Sequence, residues 1–349
     1  MFTGYLQIEN DVRLFYKVYA STKDVEERVD NDQPTLIFLH GGPGVVDHTL
    51  YEPFWSKFAG RTIADSTLQV IFIDQRGCGL SYQDKSNTRD YGTPETWNLS
   101  QWGKDVYSFF TAFDIKQPIV AGVSFGGVVA MSCATQFPTE LGGLILSDTD
   151  AHFDMDDVLN HFADKVKTKG GTSEEVTRVC NIAKRMLTET SVDSYAEYIK
   201  TCLPYCATNP YNAKFISRCV KNEEVAYHYN RNELTTFNFL PDLKKIECQT
   251  LVIAGDQNPI HTAKSALKTA EALQKDKVTF KIFCGAGSPV YADKETEVIE
   301  LINDYLDELS VKYMEENTNN QCADSVILPR KTGHQHYATI PELARSLNP

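Results

Sequence analysis

The chain has 349 residues, 42% of them hydrophobic and 23% charged, with a formal charge of −13 at pH 7. This is the composition of an ordinary globular protein, long enough for one large domain or two. So large an acidic excess repels phosphates, which argues against nucleic acid and anionic membrane surfaces as partners.

The first twenty residues carry acids where a signal peptide needs an apolar run. No later stretch approaches the length of a membrane span, so a cytoplasmic protein is expected. Residues 5–18 alternate about Glu9-Asn10-Asp11, which predicts a β-hairpin, and residues 21–34 are charged and aperiodic like a surface loop. Buried strands are predicted at Thr35–Leu39 and Gln69–Ile73, running into the loops HGGPG (His40–Gly44) and DQRGCGLS (Asp74–Ser81). A helix with Trp102, Val106, Phe109 and Phe113 on one face follows, then a strand from Ile119. Further strands are predicted at Leu144–Leu146, Leu251–Ala254 and Val278–Phe283, and a closing helix at 296–310. Strands alternating with helices imply an α/β fold with a doubly wound, mostly parallel sheet covered on both faces. The expected organisation is a core of residues 1–150 and 246–310, a helical cap of 151–245 and a C-terminal extension of 311–349.

The stretch that organises the rest is Gly122-Val123-Ser124-Phe125-Gly126, a G-x-S-x-G at a strand-to-helix junction. This spacing suits a nucleophile elbow, in which a serine sits on a strained turn at a helix N-terminus. Nine cysteines form no even framework. Cys202 and Cys206, the closest pair, lack a second pair or flanking histidines, so they are read as reduced thiols with no metal and no cofactor.

HGGPG, DQRGCGLS and GVSFGG, in this order and spacing, resemble the prolyl iminopeptidase-like branch of the α/β-hydrolase superfamily. The resemblance implies an α/β-hydrolase fold with a helical cap and Ser124 as nucleophile. It also implies an oxyanion hole from the backbone of Phe125 and the loop containing Gly41, Gly42 and Gly44. The Asp74–Ser81 stretch is expected to be structural, with Arg76 paired to a nearby carboxylate.

The pattern breaks at three places. The family's triad acid stands three residues after the glycine closing the seventh strand, where this chain has Asn258. Asn can hold an imidazole but cannot balance its positive charge. The family's histidine follows the eighth strand, where this chain reads Gly285-Ala286-Gly287-Ser288-Pro289. In the cap, the acid that binds a substrate amine stands two positions before a His-Tyr pair; beside His228-Tyr229 that position is Ala226.

The chain has eight histidines, of which His40 belongs to the oxyanion loop and His161 and His228 lie in the cap. His334 and His336 in the extension partly imitate the family's histidine loop, with Asp148 or Asp150 as the acid behind them. His48, His152 and His261 are placed where they could line the pocket mouth. Trp55, Tyr227, His228 and Tyr229 are the candidate substrate contacts, and a small apolar substrate is expected. Without its usual His and Asp, the site reads as an enzyme reassigned to cyclisation, isomerisation or elimination. Two alternatives are a serine hydrolase (aminopeptidase, esterase or amidase) with a relocated histidine such as His334 or His336, and a ligand-binding pseudoenzyme. The sequence carries no sign of the oligomeric state.

Overall fold

The computed structural model describes residues 1–9, 12–20, 29–63, 65–83, 92–206 and 216–319. An eight-stranded sheet runs through it in the order β1-β2-β6-β3-β7-β8-β9-β10. The strands are β1 (Phe2–Glu9), β2 (Val12–Tyr19), β3 (Thr35–Leu39), β6 (Gln69–Ile73), β7 (Ile119–Val123), β8 (Gly143–Ser147), β9 (Gln249–Gly255) and β10 (Val278–Phe283). Two short strands, β4 (Thr62–Ile63) and β5 (Ser66–Thr67), form a separate hairpin. The first two strands run antiparallel to their neighbours, and the other six are parallel.

Burial follows from position in the sheet. Every residue of β3, β6, β7 and β8 is buried, because helices cover both faces there. Strand β1 lies at the edge and alternates half-buried with exposed residues, as a strand with one wet face must. From β3 the chain passes to β6 on one side and then crosses to β7 on the other. This reversal leaves a crevice at the carboxyl ends of β3 and β7, the place where open parallel sheets bind ligands.

Helices α1 (His48–Trp55), α2 (Gly79–Gln83), α3 (Leu99–Ala112) and α4 (Phe125–Gln136) belong to the core. Helix α3 turns Trp102, Val106, Phe109 and Phe110 inward, while α4 is buried along most of its length beneath the sheet centre. The cap comprises α5 (Met155–Thr168), α6 (Ser173–Thr188), α7 (Val192–Thr201), α8 (Leu203–Cys206) and α9 (Glu223–Asn232). Asp154, Thr172 and Ser191 start the first three by accepting backbone N–H bonds from the first turn. The chain then closes with α10 (Ala263–Ala272), α11 (Val290–Asp293) and α12 (Glu295–Asn319). The closing helix thus runs nine residues beyond the expected end at 310, into the stretch expected to be a polar spacer. Buried Val298, Leu301, Ile302, Tyr305 and Leu306, with the partly buried Leu309, pack it against the core.

Arg76 does pair with a carboxylate: its guanidinium donates twice to Asp105 on α3, both at 2.7 Å, and once to Glu9. Its carbonyl accepts the Trp102 indole N–H at 3.0 Å. Both Arg76 and Asp105 are buried, so removing one leaves the other charge without its main partner. Asp105→Ala is expected to lower stability by about 3–5 kcal/mol in urea unfolding; a change under about 1 kcal/mol would contradict this account.

Candidate active site

Ser124 sits at φ 54°, ψ −123°, between the end of β7 and the first residue of α4. The turn is sharp enough that a Cβ on Gly122 would lie 2.3 Å from the Gly126 carbonyl carbon. A Cβ on Gly126 would lie 2.1 Å from the Leu39 carbonyl oxygen, so neither position tolerates a side chain. The strained serine is held on all sides. Its N–H donates to Ser147 O at 3.1 Å, and its carbonyl accepts from Gly127 N, Val128 N and the Thr149 hydroxyl. Phe125 opens helix α4, so its N–H has no intrahelical acceptor and is available to an oxyanion.

The Gly41–Gly44 loop leaves β3 beside this elbow, with Gly42 and Pro43 on the cavity wall. Gly44 has φ +68°, and a Cβ there would strike the Asn222 carbonyl at 2.2 Å. The loop can therefore approach the cap closely: Asn222 N donates to Gly44 O at 2.8 Å, and the Asn222 amide donates to Gly77 O at 2.9 Å. Buried beneath the loop, Asp74 accepts from His48 Nδ1 at 2.9 Å and from the backbone of His48 and Leu80. Burial opposes ionisation of Asp74, but His48 and these bonds outweigh it and hold the carboxyl below its usual range. His48 is thus a support for the oxyanion loop and not a residue of the pocket mouth.

The expected absence of a base is corrected by His261. This residue follows β9 and precedes α10, and its Nε2 lies 3.0 Å from Ser124 Oγ. Its Nδ1 lies 2.7 Å from Asp150 Oδ2 in the loop after β8. Ser124, His261 and Asp150 therefore form a complete nucleophile–base–acid chain, in the chain order serine, acid, histidine. The sequence alone places His261 at the pocket mouth and Asp150 behind a histidine of the extension. The signal that joins them is positional, since both stand just beyond the carboxyl ends of neighbouring buried strands.

The other expected site residues fall as follows. Asn258 is buried and does not touch the imidazole; its Oδ1 accepts the N–H groups of Ile260 at 3.0 Å and His261 at 3.1 Å. Asp256 faces the other way, accepting from Gly285 N. His334 and His336 lie outside the described residues. Trp55 is corrected to a core residue, its ring tilted against that of Phe38 with centroids 4.8 Å apart. Tyr227 is exposed and bonded to Arg231, while His228 packs edge-on against Trp97 and bonds to Asn232, so neither lines the cavity. Their neighbour on α9, Tyr229, does line it and packs on Phe125. Helical geometry explains the split, since consecutive residues point about 100° apart. His152 is bonded to Phe237 O, away from Ser124.

The cavity over Ser124 has a volume of about 200 Å³ and lies between the sheet and the cap. Val46, Leu50, Val128, Phe153, Leu187 and Leu234 form much of its wall. Among the described lining residues, Asp150 is the only carboxylate and His261 the only imidazole, and there is no lysine or arginine. Two polar cap residues, Thr190 and Asn230, bond to each other and to Met186 O. Cys206 also lines the cavity, but burial pushes its thiol up to about 12, so it does not compete with Ser124 as a nucleophile.

Residues 34–294 match the family model of the alpha/beta hydrolase fold. The chain is 24% identical over 287 residues to a proline iminopeptidase, PfmaB, of Pestalotiopsis fici, spanning 79% of this chain and 92% of that protein. It is 29% identical over 146 residues to a proline iminopeptidase of Thermoplasma volcanium, 41% of each chain. Among solved structures, the proline iminopeptidase of Mycobacterium smegmatis superimposes with a TM-score of 0.66 at 19% identity, over 89% of this chain and 99% of that one. The enol-lactonase of Burkholderia xenovorans LB400 does so at 0.61 and 16%, over 87% and 99%. At these identities the likeness to solved structures is one of fold.

A second buried acid, Asp148, lies two residues before Asp150. Its Oδ2 accepts from Ser147 Oγ at 2.9 Å and Val290 N at 3.1 Å, and its Oδ1 accepts from the Asn258 amide at 3.2 Å. Burial pushes its carboxyl up to about 6 against these bonds, which favour the anion. The folded value thus exceeds the unfolded one of about 4, so between pH 4 and 6 the folded state keeps a proton that the unfolded chain has released. Wild-type stability should therefore fall through this window as pH rises. Asp148→Asn removes the titration, and in urea unfolding its stability relative to wild type should improve by roughly 1–3 kcal/mol from pH 4 to pH 7. A pH-independent difference would refute the assignment.

Proposed function

We propose that this chain, which belongs to the alpha/beta hydrolase fold family, is a serine hydrolase that cleaves esters, lactones or amides of small, uncharged, apolar acyl groups. The observation that carries the reading is the 3.0 Å contact between His261 Nε2 and Ser124 Oγ, with Asp150 2.7 Å behind the imidazole. In the reaction Ser124 Oγ attacks the substrate carbonyl carbon while His261 takes the hydroxyl proton. Asp150 keeps Nδ1 protonated and stabilises the imidazolium that forms. The oxyanion is met by the N–H of Phe125 and donors of the Gly41–Gly44 loop. Collapse expels the alcohol or amine, which takes its proton from His261, and a water molecule repeats the sequence to release the acid.

The wall of the cavity supports an uncharged substrate. A free ammonium needs a carboxylate, and the only one on the described wall already holds His261. Ala226, on the position where the resembling aminopeptidases carry an acid, also lines the cavity. A volume near 200 Å³ suits a short acyl chain or a small ring. Non-hydrolytic chemistry was favoured by the expected lack of a base; with His261 against Ser124, no observation here favours it over acyl transfer to water.

The test compares hydrolysis of p-nitrophenyl butyrate with that of L-proline p-nitroanilide. The ester should turn over at least about 100-fold faster, since burying an unpaired ammonium costs several kcal/mol. Ser124→Ala, His261→Ala and Asp150→Asn should each lower kcat by about 10⁴ or more. Ester turnover that survives Ser124→Ala and His261→Ala unchanged would overturn the reading, and faster turnover of the prolyl anilide would replace it with an aminopeptidase.

A further inference from the structure

We infer that Asp148 and Asn258 form a buried positioning pair that sets the location of the His261 imidazole. The inference rests on the proposed hydrolase chemistry and assigns it two residues that touch neither substrate nor the reacting atoms. Asn258 joins the two loops that supply the acid and the base. Its Oδ1 accepts the backbone N–H of His261 itself, at 3.1 Å, and that of Ile260 at 3.0 Å. Its Nδ2 donates to Asp148 Oδ1 at 3.2 Å. Asp148 is in turn fixed by Ser147 Oγ and by the backbone of Val290, and its own N–H donates to Ile253 O at 3.0 Å.

Two links therefore connect the loop after β8 to His261. One runs from Asp150 to the ring nitrogen, and the other from Asp148 through Asn258 to the backbone. The first orients the imidazole only if the second has placed its Cα, because a side chain with two torsions cannot correct a displaced backbone. The residue type follows from its neighbours. An alanine at 258 would leave two N–H groups of a half-buried turn without this acceptor. An aspartate would set a second carboxylate about 3 Å from Asp148, where one of the two would have to take up a proton. An amide accepts on one side and donates on the other, meeting both demands.

The experiment measures the rate of Ser124 phosphonylation by a fluorophosphonate ester, resolved into the maximal rate kinact and the half-saturating concentration KI. It is run on the full chain and on Asn258→Ala, Asn258→Asp, Asp148→Asn, the exchange Asp148→Asn with Asn258→Asp, and His261→Ala. Thermal unfolding of each variant is followed in parallel. The three single changes in the pair should lower kinact about 10- to 100-fold with KI unchanged, the scale of an ångström-sized displacement of a catalytic group. The exchange keeps every hydrogen bond with the carboxylate and amide interchanged, and should recover kinact to within about threefold of wild type. Wild-type kinact in Asn258→Ala would overturn the pairing. So would an exchange variant that folds but labels no faster than the single variants, or a loss confined to KI. Failure of the wild type to label, or full labelling of His261→Ala, would remove the hydrolase reading itself and this inference with it.

Discussion

The contact between His261 and Ser124 depends on two loops keeping a fixed relation to each other while both lie one strand away from where the resembling family places them. There the acid follows the strand corresponding to β9 and the histidine the one corresponding to β10. Here the acid follows β8 and the histidine follows β9. Parallel neighbours in a sheet are about 4.8 Å apart. Moving acid and base together by one strand leaves their separation unchanged and brings both nearer the strand that carries the serine. The shift is concerted, and acid and base remain on neighbouring strands.

The positions vacated by the shift have been given other work. Where the family has its acid, Asn258 anchors the turn that carries His261. Where it has its histidine, the loop after β10 folds inward, burying Ala286 and giving the Val290 N–H to Asp148. A Cβ on Gly255 would strike the Ala286 carbonyl at 2.2 Å, so the two loops press directly against each other. Asp148 is then the point where the loops after β8, β9 and β10 meet. Burying a carboxylate there is unfavourable, as its raised proton affinity shows, and the hydrogen bonds it accepts are what keep it in place.

The fold was legible almost residue by residue. Strands β3, β6 and β10 coincide with their predicted bounds, and β8 and β9 differ by one to two residues at each end. Continuous apolar runs between glycine-rich loops have few other readings in a parallel sheet. The sharp turn at Ser124 was equally legible, because Gly122 and Gly126 answer to local backbone sterics. The base was not. His261 reaches Ser124 across 137 positions of sequence, and its partner Asp150 lies 111 positions away. No local pattern encodes such a meeting, and reading family positions onto the chain pointed to Asn258 and to an empty place after β10. Trp55 and the pair Tyr227-His228 misled for another reason. Aromatic residues near a motif serve the core as readily as a pocket, and on a helix only the facing third of them can reach the substrate.

In the proposed hydrolysis the cap would serve to exclude water. Asn222, at the start of α9, bonds to both Gly44 and Gly77, so the cap is fastened to the oxyanion loop and to the turn that follows β6. From this fixed point α9 directs Ala226, Tyr229 and Asn230 over Ser124. An oxyanion forming beneath an apolar roof is poorly solvated, so each backbone N–H aimed at it contributes more than it would in water. In the proposed reaction the same roof would disfavour charged substrates, which would lose their hydration with nothing to replace it. For the proposed hydrolase, catalytic assistance and selection for uncharged acyl groups would therefore be two consequences of one feature, a cap fastened to the Gly41–Gly44 loop and apolar beneath.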